Sequence, residues 1–181
     1  MTIPNIITIL RLVTVPLIIY SVILGWHVLA FWLFISAGIS DAIDGFIAKR
    51  YNQRSELGAY LDPLADKALI VSLFVALGIQ GQIPIWLTIL VVSRDVFILC
   101  GIGVAALMGN PIDIDPLKIS KVNTAFQITL VCMVLAAIAF EISAGPLIKA
   151  GTLIVAGLTI ASAIAYLLTW IRHLSDPDET G

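Results

Sequence analysis

Apolar positions along this chain fall in long blocks. They do not show the alternation of a strand or the one-sided stripe of a water-soluble helix. Six such blocks cover residues 3–24, 27–48, 58–79, 84–108, 119–140 and 147–171. Each is roughly 20 residues or longer, the length a helix needs to cross a bilayer. Lipid offers the backbone no water, so spanning segments satisfy their own hydrogen bonds as helices, and the alternation a barrel requires is missing. The expected fold class is therefore an all-α integral membrane protein, a six-transmembrane-helix bundle. Pro4 lies near the start of the first block, where proline is tolerated, and Pro16 predicts a kink. No repeat or second domain interrupts the pattern. Residues 1–174 read as one membrane domain and residues 175–181 as a short, solvated tail. The first block lacks a basic leader and a small-residue cleavage site, and Arg11 interrupts it, so it reads as a retained helix rather than a signal peptide.

Composition agrees with the blocks. Hydrophobic residues make up 60% of the chain and charged residues 12%, half of the roughly 25% usual in soluble domains. Mean hydropathy is +1.05. A net charge of −2 gives no basis for binding nucleic acid. Cys100 and Cys132 each lie in an apolar run without neighbouring ligands. They are expected to be small core residues without redox or zinc chemistry. Lys49, Arg50, Arg54, Lys118 and Lys121 fall in connections on one side of the bundle, with Arg172 at the end of the last block, whereas the other side has only Lys149. Basic residues concentrate in cytoplasmic loops. Both termini are thus expected in the cytoplasm, most simply with the chain in a bacterial inner membrane.

Four carboxylates break the apolar pattern. Asp41 and Asp44 lie near the cytoplasmic end of the second block, and Asp62 and Asp66 near the start of the third. Ionisable groups in a bilayer cost roughly 2.5–3.5 kcal/mol each and are usually functional. Spacings of i,i+3 and i,i+4 put each pair on one helical face. Helices joined by a short loop pack antiparallel, so the two pairs are expected to face each other across a cavity open to the cytosol. At 1.5 Å per residue, Asp66 lies roughly 12 Å inside its helix. Four such groups do not all ionise together without cations. Protonation or pairing with lysine and arginine is one solution, and divalent metal is the other. An all-oxygen donor set suits Mg²⁺, Mn²⁺ or Ca²⁺, and two ions clamp a phosphoryl displacement. Gly45, Ala48 and Gly58 continue the acidic faces. They serve either close helix packing or the approach of a bulky ligand to the backbone.

The run Asp41-Ala42-Ile43-Asp44-Gly45-Phe46-Ile47-Ala48-Lys49, followed by Gly58, Asp62 and Asp66, resembles the signature of the CDP-alcohol phosphotransferase family. The resemblance extends over nearly the whole chain, since that family also has six helices. One position departs: Lys49 stands where the family usually has Arg, and the adjacent Arg50 keeps the positive charge without a bidentate contact at that site. The resemblance implies that Asp41, Asp44 and Asp62 ligate metal, two Mg²⁺ or Mn²⁺ ions. It implies that Asp66 contributes to the metal site and acts as general base. Asp41, Gly45, Ala48, Lys49 and Gly58 would border the CDP group. The implied donor is CDP-diacylglycerol, whose β-phosphorus is attacked by an acceptor hydroxyl with loss of CMP. Family members are often homodimers.

The acceptor depends on the second half. Ser93-Arg94-Asp95 lies in the middle of the fourth block. Arg94 either pairs with the carboxylates or forms the cavity floor that holds an acceptor phosphate. Lys118, Lys121, Asn123 and Gln127 surround the start of the fifth block. Lys118 reads as a snorkelling interfacial lysine; Lys121 and Asn123 join Arg94 as acceptor-binding candidates. Lys121, Asn123 and Gln127 fall at offsets of 0, 2 and 6, so they do not share one narrow face. Residues 116–127, 52–58 and 61–67 are similar to the cardiolipin-forming members of the family. Members that form phosphatidylglycerophosphate usually carry two Arg-Glu pairs about two turns apart; here Arg94 precedes Asp95 and residues 101–103 are Gly-Ile-Gly. A single cation suits phosphatidylglycerol better than glycerol 3-phosphate. The main rival outside enzymes is a small proton-coupled transporter, but the acids crowd one side and the outer half is almost uncharged.

Topology can be tested by labelling. With Cys100 and Cys132 removed, Ser55→Cys is expected to be shielded from a membrane-impermeant thiol reagent in intact cells. Efficient labelling from outside would invert the orientation.

Overall fold

The computed structural model describes the backbone of residues 3–51, 56–107 and 118–175, and the side chains of residues 13–40, 67–101 and 118–171. The described backbone is all-helical: α1 Ile3–Ile23, α2 His27–Tyr51, α3 Glu56–Ile79, α4 Ile85–Leu107, α5 Lys118–Ala139 and α6 Gly145–Ser175. Each matches one apolar block to within a few residues. Where a helix outruns its block, the added residues are largely polar: Lys49-Arg50-Tyr51 in α2, Glu56-Leu57 in α3 and Arg172 to Ser175 in α6. Hydropathy marks the lipid-compatible part of a helix, whereas backbone hydrogen bonding continues beyond it.

The connections α1–α2, α3–α4 and α5–α6 share one capping device. In each, a residue in the left-handed region follows the helix, and the next N–H reaches back to the last full turn. Gly25 (φ 76°) and Gly81 (φ 72°) hold this position after α1 and α3, and Glu141 (φ 54°) holds it after α5. The returning bonds are Trp26 N–H to Ser21 O at 2.8 Å, Gln82 N–H to Leu77 O at 2.9 Å and Ile142 N–H to Ala137 O at 2.9 Å. These tight turns fold each helix back antiparallel on its predecessor. Two further bonds tie this end together. Gln80 Nε2 donates to Val22 O at 2.6 Å, joining the turns after α1 and α3. Thr88 Oγ1 donates to Phe74 O at 3.0 Å, joining α4 to α3.

A single core runs through the bundle, with Ile18, Val22, Leu73, Phe74, Leu77, Leu87, Val91, Leu130, Val131, Leu135 and Val155 all fully enclosed. α1 packs against both α2 and α3, α5 against α2, α3 and α6, and α4 against α3 and α6. The outside of the bundle is as apolar as the inside. Leu17, Tyr20, Trp32, Ile89, Phe97, Leu153, Ile160 and Leu168 are among many large hydrophobic residues that are about half exposed or more. Such a surface suits lipid rather than water. Among the described residues, Lys118–Ala139 and Gly145–Ile171 are long and apolar enough to cross a membrane. Cys100 is exposed and Cys132 half-buried. The expectation of a core position therefore fails for Cys100. In a helix apolar on every side, hydropathy cannot tell the core face from the lipid face.

The caps make a stability prediction. Gly81 has open space where a Cβ would stand, so Gly81→Ala adds only backbone strain, about 1 kcal/mol. It should lower the thermal midpoint in detergent. Glu141→Gly relieves the same strain and should raise it.

Candidate active site

The acids of the signature lie on helical backbone. Asp41 and Asp44 are on α2, and Asp62 and Asp66 are on α3. The side chains of Asp41, Asp44, Gly45, Ala48, Lys49, Gly58, Asp62 and Asp66 lie outside the described residues. So does the expected meeting of the two acidic faces. Among the described residues, α2 and α3 make no direct contact, and α1 and α5 pack against both. Each acid-bearing helix is thus supported from the same two sides.

The described part of the site begins one residue after Asp66. Lys67 Nζ lies 2.5 Å from Asp95 Oδ1. The same oxygen accepts a hydrogen bond from Arg94 Nη1 at 2.5 Å. Adjacent residues on a helix diverge by roughly 100°, so this contact depends on the long arginine side chain folding back. Arg94 Nη2 donates to Ser120 Oγ at 2.7 Å and to Ser162 Oγ at 2.6 Å. The guanidinium lies 5.7 Å from the centre of the Tyr166 ring, within cation–π reach. Arg94 and Asp95 are each 4% exposed, and the Lys67 side chain is one-third exposed. One buried carboxylate thus joins α3 to α4, and one guanidinium joins α4 to α5 and α6. Removing one partner from a buried charged pair costs roughly 3–5 kcal/mol, because the other charge is stranded.

A polar seam continues along α5. Ser120, Asn123 and Gln127 are spaced by three and four residues and share one face. Asn123 and Gln127 are fully buried. Asn123 Oδ1 accepts from Thr159 Oγ1 at 3.1 Å, one turn of α6 from Ser162. Arg94 Nε, Asn123 Nδ2 and Gln127 Nε2 are buried without a hydrogen-bond partner. All three are donors, and none meets an acceptor among the described residues. Unmade buried bonds of this kind cost about 1–3 kcal/mol each, and oxygen acceptors would satisfy them.

Of the acceptor-binding candidates, Arg94 and Asn123 lie in this seam. Lys121 does not: it is exposed, as is Lys118. The sequence named Asp95 only as the neighbour of Arg94, gave no role to Lys67, Ser120 or Ser162, and left Gln127 out of the site. The available signals were the position of Lys67 beside Asp66, the position of Asp95 beside Arg94, and the heptad-like spacing of Ser120, Asn123 and Gln127. A separate cavity of about 530 Å³, lined by Gly25, Trp26, His27, Val28, Leu29 and Trp32, lies at the α1–α2 turn, the end of α2 away from the acids. Among the described residues no group of acids, histidines and cysteines forms a metal site.

Comparison with known proteins gives a consistent result. The CDP-alcohol phosphatidyltransferase family matches residues 1–173. Human cardiolipin synthase (CMP-forming) is 38% identical, over 91% of this chain and 60% of the relative. Cardiolipin synthase (CMP-forming) of Streptomyces coelicolor is 37% identical over 61% of this chain and 54% of the relative. A probable phosphatidylglycerophosphate synthase of Mycobacterium tuberculosis is 39% identical over 50% of this chain and 46% of the relative. This chain spans 58–60% of the length of its human, fruit-fly and rat relatives.

Arg94→Lys tests the geometry of the seam. A lysine keeps the charge but cannot bridge Asp95, Ser120 and Ser162 together. The substitution should lower the thermal midpoint clearly, as should Arg94→Ala, whereas Ser162→Ala, which removes one of three bonds, should cost only about 1 kcal/mol. Wild-type stability in Arg94→Lys would show that charge alone suffices.

Proposed function

The chain belongs to the CDP-alcohol phosphatidyltransferase family, a family of integral membrane proteins, and we propose that it transfers the phosphatidyl group of CDP-diacylglycerol to phosphatidylglycerol, forming cardiolipin and CMP. The observation that carries the choice of acceptor is the buried seam of Arg94, Asn123 and Gln127. It offers unpaired donors beside a guanidinium whose charge Asp95 partly neutralises. A phosphodiester headgroup bearing one charge and several oxygens complements that arrangement. The cardiolipin synthases among its relatives point the same way.

In this reading the six helices span the membrane, with both termini and a polar cavity on the cytoplasmic side. The donor and acceptor keep their tails in lipid while the nucleotide enters from water. A homodimer is the proposed assembly. Asp41, Asp44, Asp62 and Asp66 would hold divalent cations, two Mg²⁺ or Mn²⁺, for which their oxygen donors are suited. Bound there, the cations supply charge neutralisation at the pyrophosphate. Gly45, Ala48 and Gly58 leave room for the CDP group, with Lys49 and Arg50 near its phosphates. Arg94 and Asn123 orient the acceptor headgroup; exposed Lys121 attracts it at the cavity rim.

The reaction follows from these roles. A glycerol hydroxyl of the acceptor attacks the β-phosphorus, forming a new P–O bond. The bond from that phosphorus to the bridging oxygen breaks, and CMP leaves with the electron pair. The Asp66 carboxylate takes the hydroxyl proton. The second reading, phosphatidylglycerophosphate synthesis from glycerol 3-phosphate, is favoured by the mycobacterial relative and by a chloroplastic CDP-diacylglycerol–glycerol-3-phosphate 3-phosphatidyltransferase of Oryza sativa, 33% identical over 92% of this chain.

Purified protein should convert CDP-diacylglycerol and phosphatidylglycerol to cardiolipin. EDTA should abolish this activity and Mg²⁺ or Mn²⁺ restore it, and Asp66→Asn should lower turnover by roughly 10²–10⁴. Formation of phosphatidylglycerophosphate with no cardiolipin would transfer the assignment to the second reading. Full activity without metal would remove the metal site.

A further inference from the structure

The Lys67–Asp95–Arg94 cluster contains two cations and one anion, all in contact. Its fixed charges leave one net positive charge in a largely enclosed site. We propose that Asp95 determines the charge class of the acceptor: by cancelling one of the two cations beside it, it fits the site to a phosphodiester and against a phosphomonoester. This rests on the phosphatidyl-transfer reading given above and extends it to a residue that touches no substrate in that scheme.

The argument is one of balance. A phosphomonoester carries nearly two negative charges at neutral pH, since its second pKa is near 6, whereas a diester carries one. In an enclosed site an unmatched charge is heavily penalised. One net positive charge matches the diester and leaves the monoester with an excess anion. The hydrogen-bond inventory agrees. Both Arg94 Nη atoms are occupied by Asp95, Ser120 and Ser162. Of the five guanidinium N–H groups, Nε–H and one on Nη1 are left for a ligand, both on Nη2 being taken, together with the neutral amide donors of Asn123 and Gln127. A terminal phosphate has no free guanidinium fork to bind. A singly charged headgroup with hydroxyl and ester oxygens can take the remaining guanidinium N–H groups and the two neutral amide donors. Asp95 itself is almost fully buried, so its effect on a ligand runs through the two cations it holds.

The test uses full-length protein and two acceptors, phosphatidylglycerol and sn-glycerol 3-phosphate, with CDP-diacylglycerol as donor. Asp95→Asn releases the second cation. It should raise the ratio of kcat/KM for glycerol 3-phosphate to that for phosphatidylglycerol by roughly tenfold or more. Combining it with Lys67→Gln returns the cluster to one net positive charge and should bring the ratio back towards wild type. Asp95→Glu keeps the charge and should keep the wild-type ratio. A residue that merely clamps α3 to α4 would lower both activities together, and the double variant would not restore the preference. An unchanged ratio in Asp95→Asn, or no reversal in the double variant, overturns the proposal. If Asp95→Asn does not fold, Lys67→Gln alone decides: the KM for phosphatidylglycerol should rise several-fold more than that for CDP-diacylglycerol, and equal changes overturn the proposal. Transfer to neither acceptor by the wild-type protein would instead remove the phosphatidyl-transfer reading itself.

Discussion

The shared oxygen of Asp95 is the point through which four of the six helices are tied together. It holds Lys67 of α3 and Arg94 of α4 at once, and through Arg94 it reaches Ser120 of α5 and Ser162 of α6. A helical bundle in lipid gains little hydrophobic stabilisation between helices, because lipid tails are as apolar as leucine. Polar contacts and close packing must then fix the relative positions of its helices. The same contacts put the residue after Asp66 in fixed relation to the seam proposed to hold the acceptor. If the proposed acceptor site is right, structure and chemistry share one network, and substitutions within it act on both.

Stability and function are weighted differently along the molecule. At the end carrying the three tight turns, the core consists of Leu, Ile, Val and Phe, and its few polar contacts, such as Gln80 to Val22 and Thr88 to Phe74, involve backbone carbonyls. Further along, buried polar groups accumulate, and three of their donors are unpaired. Folded proteins seldom leave such groups unmatched. Three of the four such atoms among the described residues fall in this seam, in keeping with the acceptor site proposed above; the fourth, His27 Nδ1, lies at the turn end.

Much of the fold was legible because crossing lipid is such a severe constraint. Roughly twenty apolar residues in succession have few structural solutions, so six blocks became six helices. The acids were legible for the complementary reason: a carboxylate inside an apolar block demands explanation. The pairing within the site was not legible. Lys67, Asp95, Ser120 and Ser162 are distributed over four helices, and no local pattern encodes which helix packs against which. The offset argument did anticipate that Lys121, Asn123 and Gln127 diverge. It did not tell which side was inward; the structure buries the two amides and exposes the lysine. Cys100 was misjudged for a related reason, since an apolar helix surrounded by lipid carries no stripe to separate inside from outside.

The three capped turns have a mechanical consequence. All of them lie at the same end of the bundle, and the Gln80 bond to Val22 ties two of them together. Helix pairs pinned at one end behave as levers about that end. A small angular movement that barely disturbs the capped turns is magnified over the length of α2 and α3, where Asp41, Asp44, Asp62 and Asp66 reside. Over a helix about 30 Å long, a tilt of a few degrees displaces the far end by an ångström or more. The bundle thus has a stiff fulcrum at this end, and the Lys67–Asp95–Arg94 cluster is the described contact that limits how far α3 and α4 can swing about it.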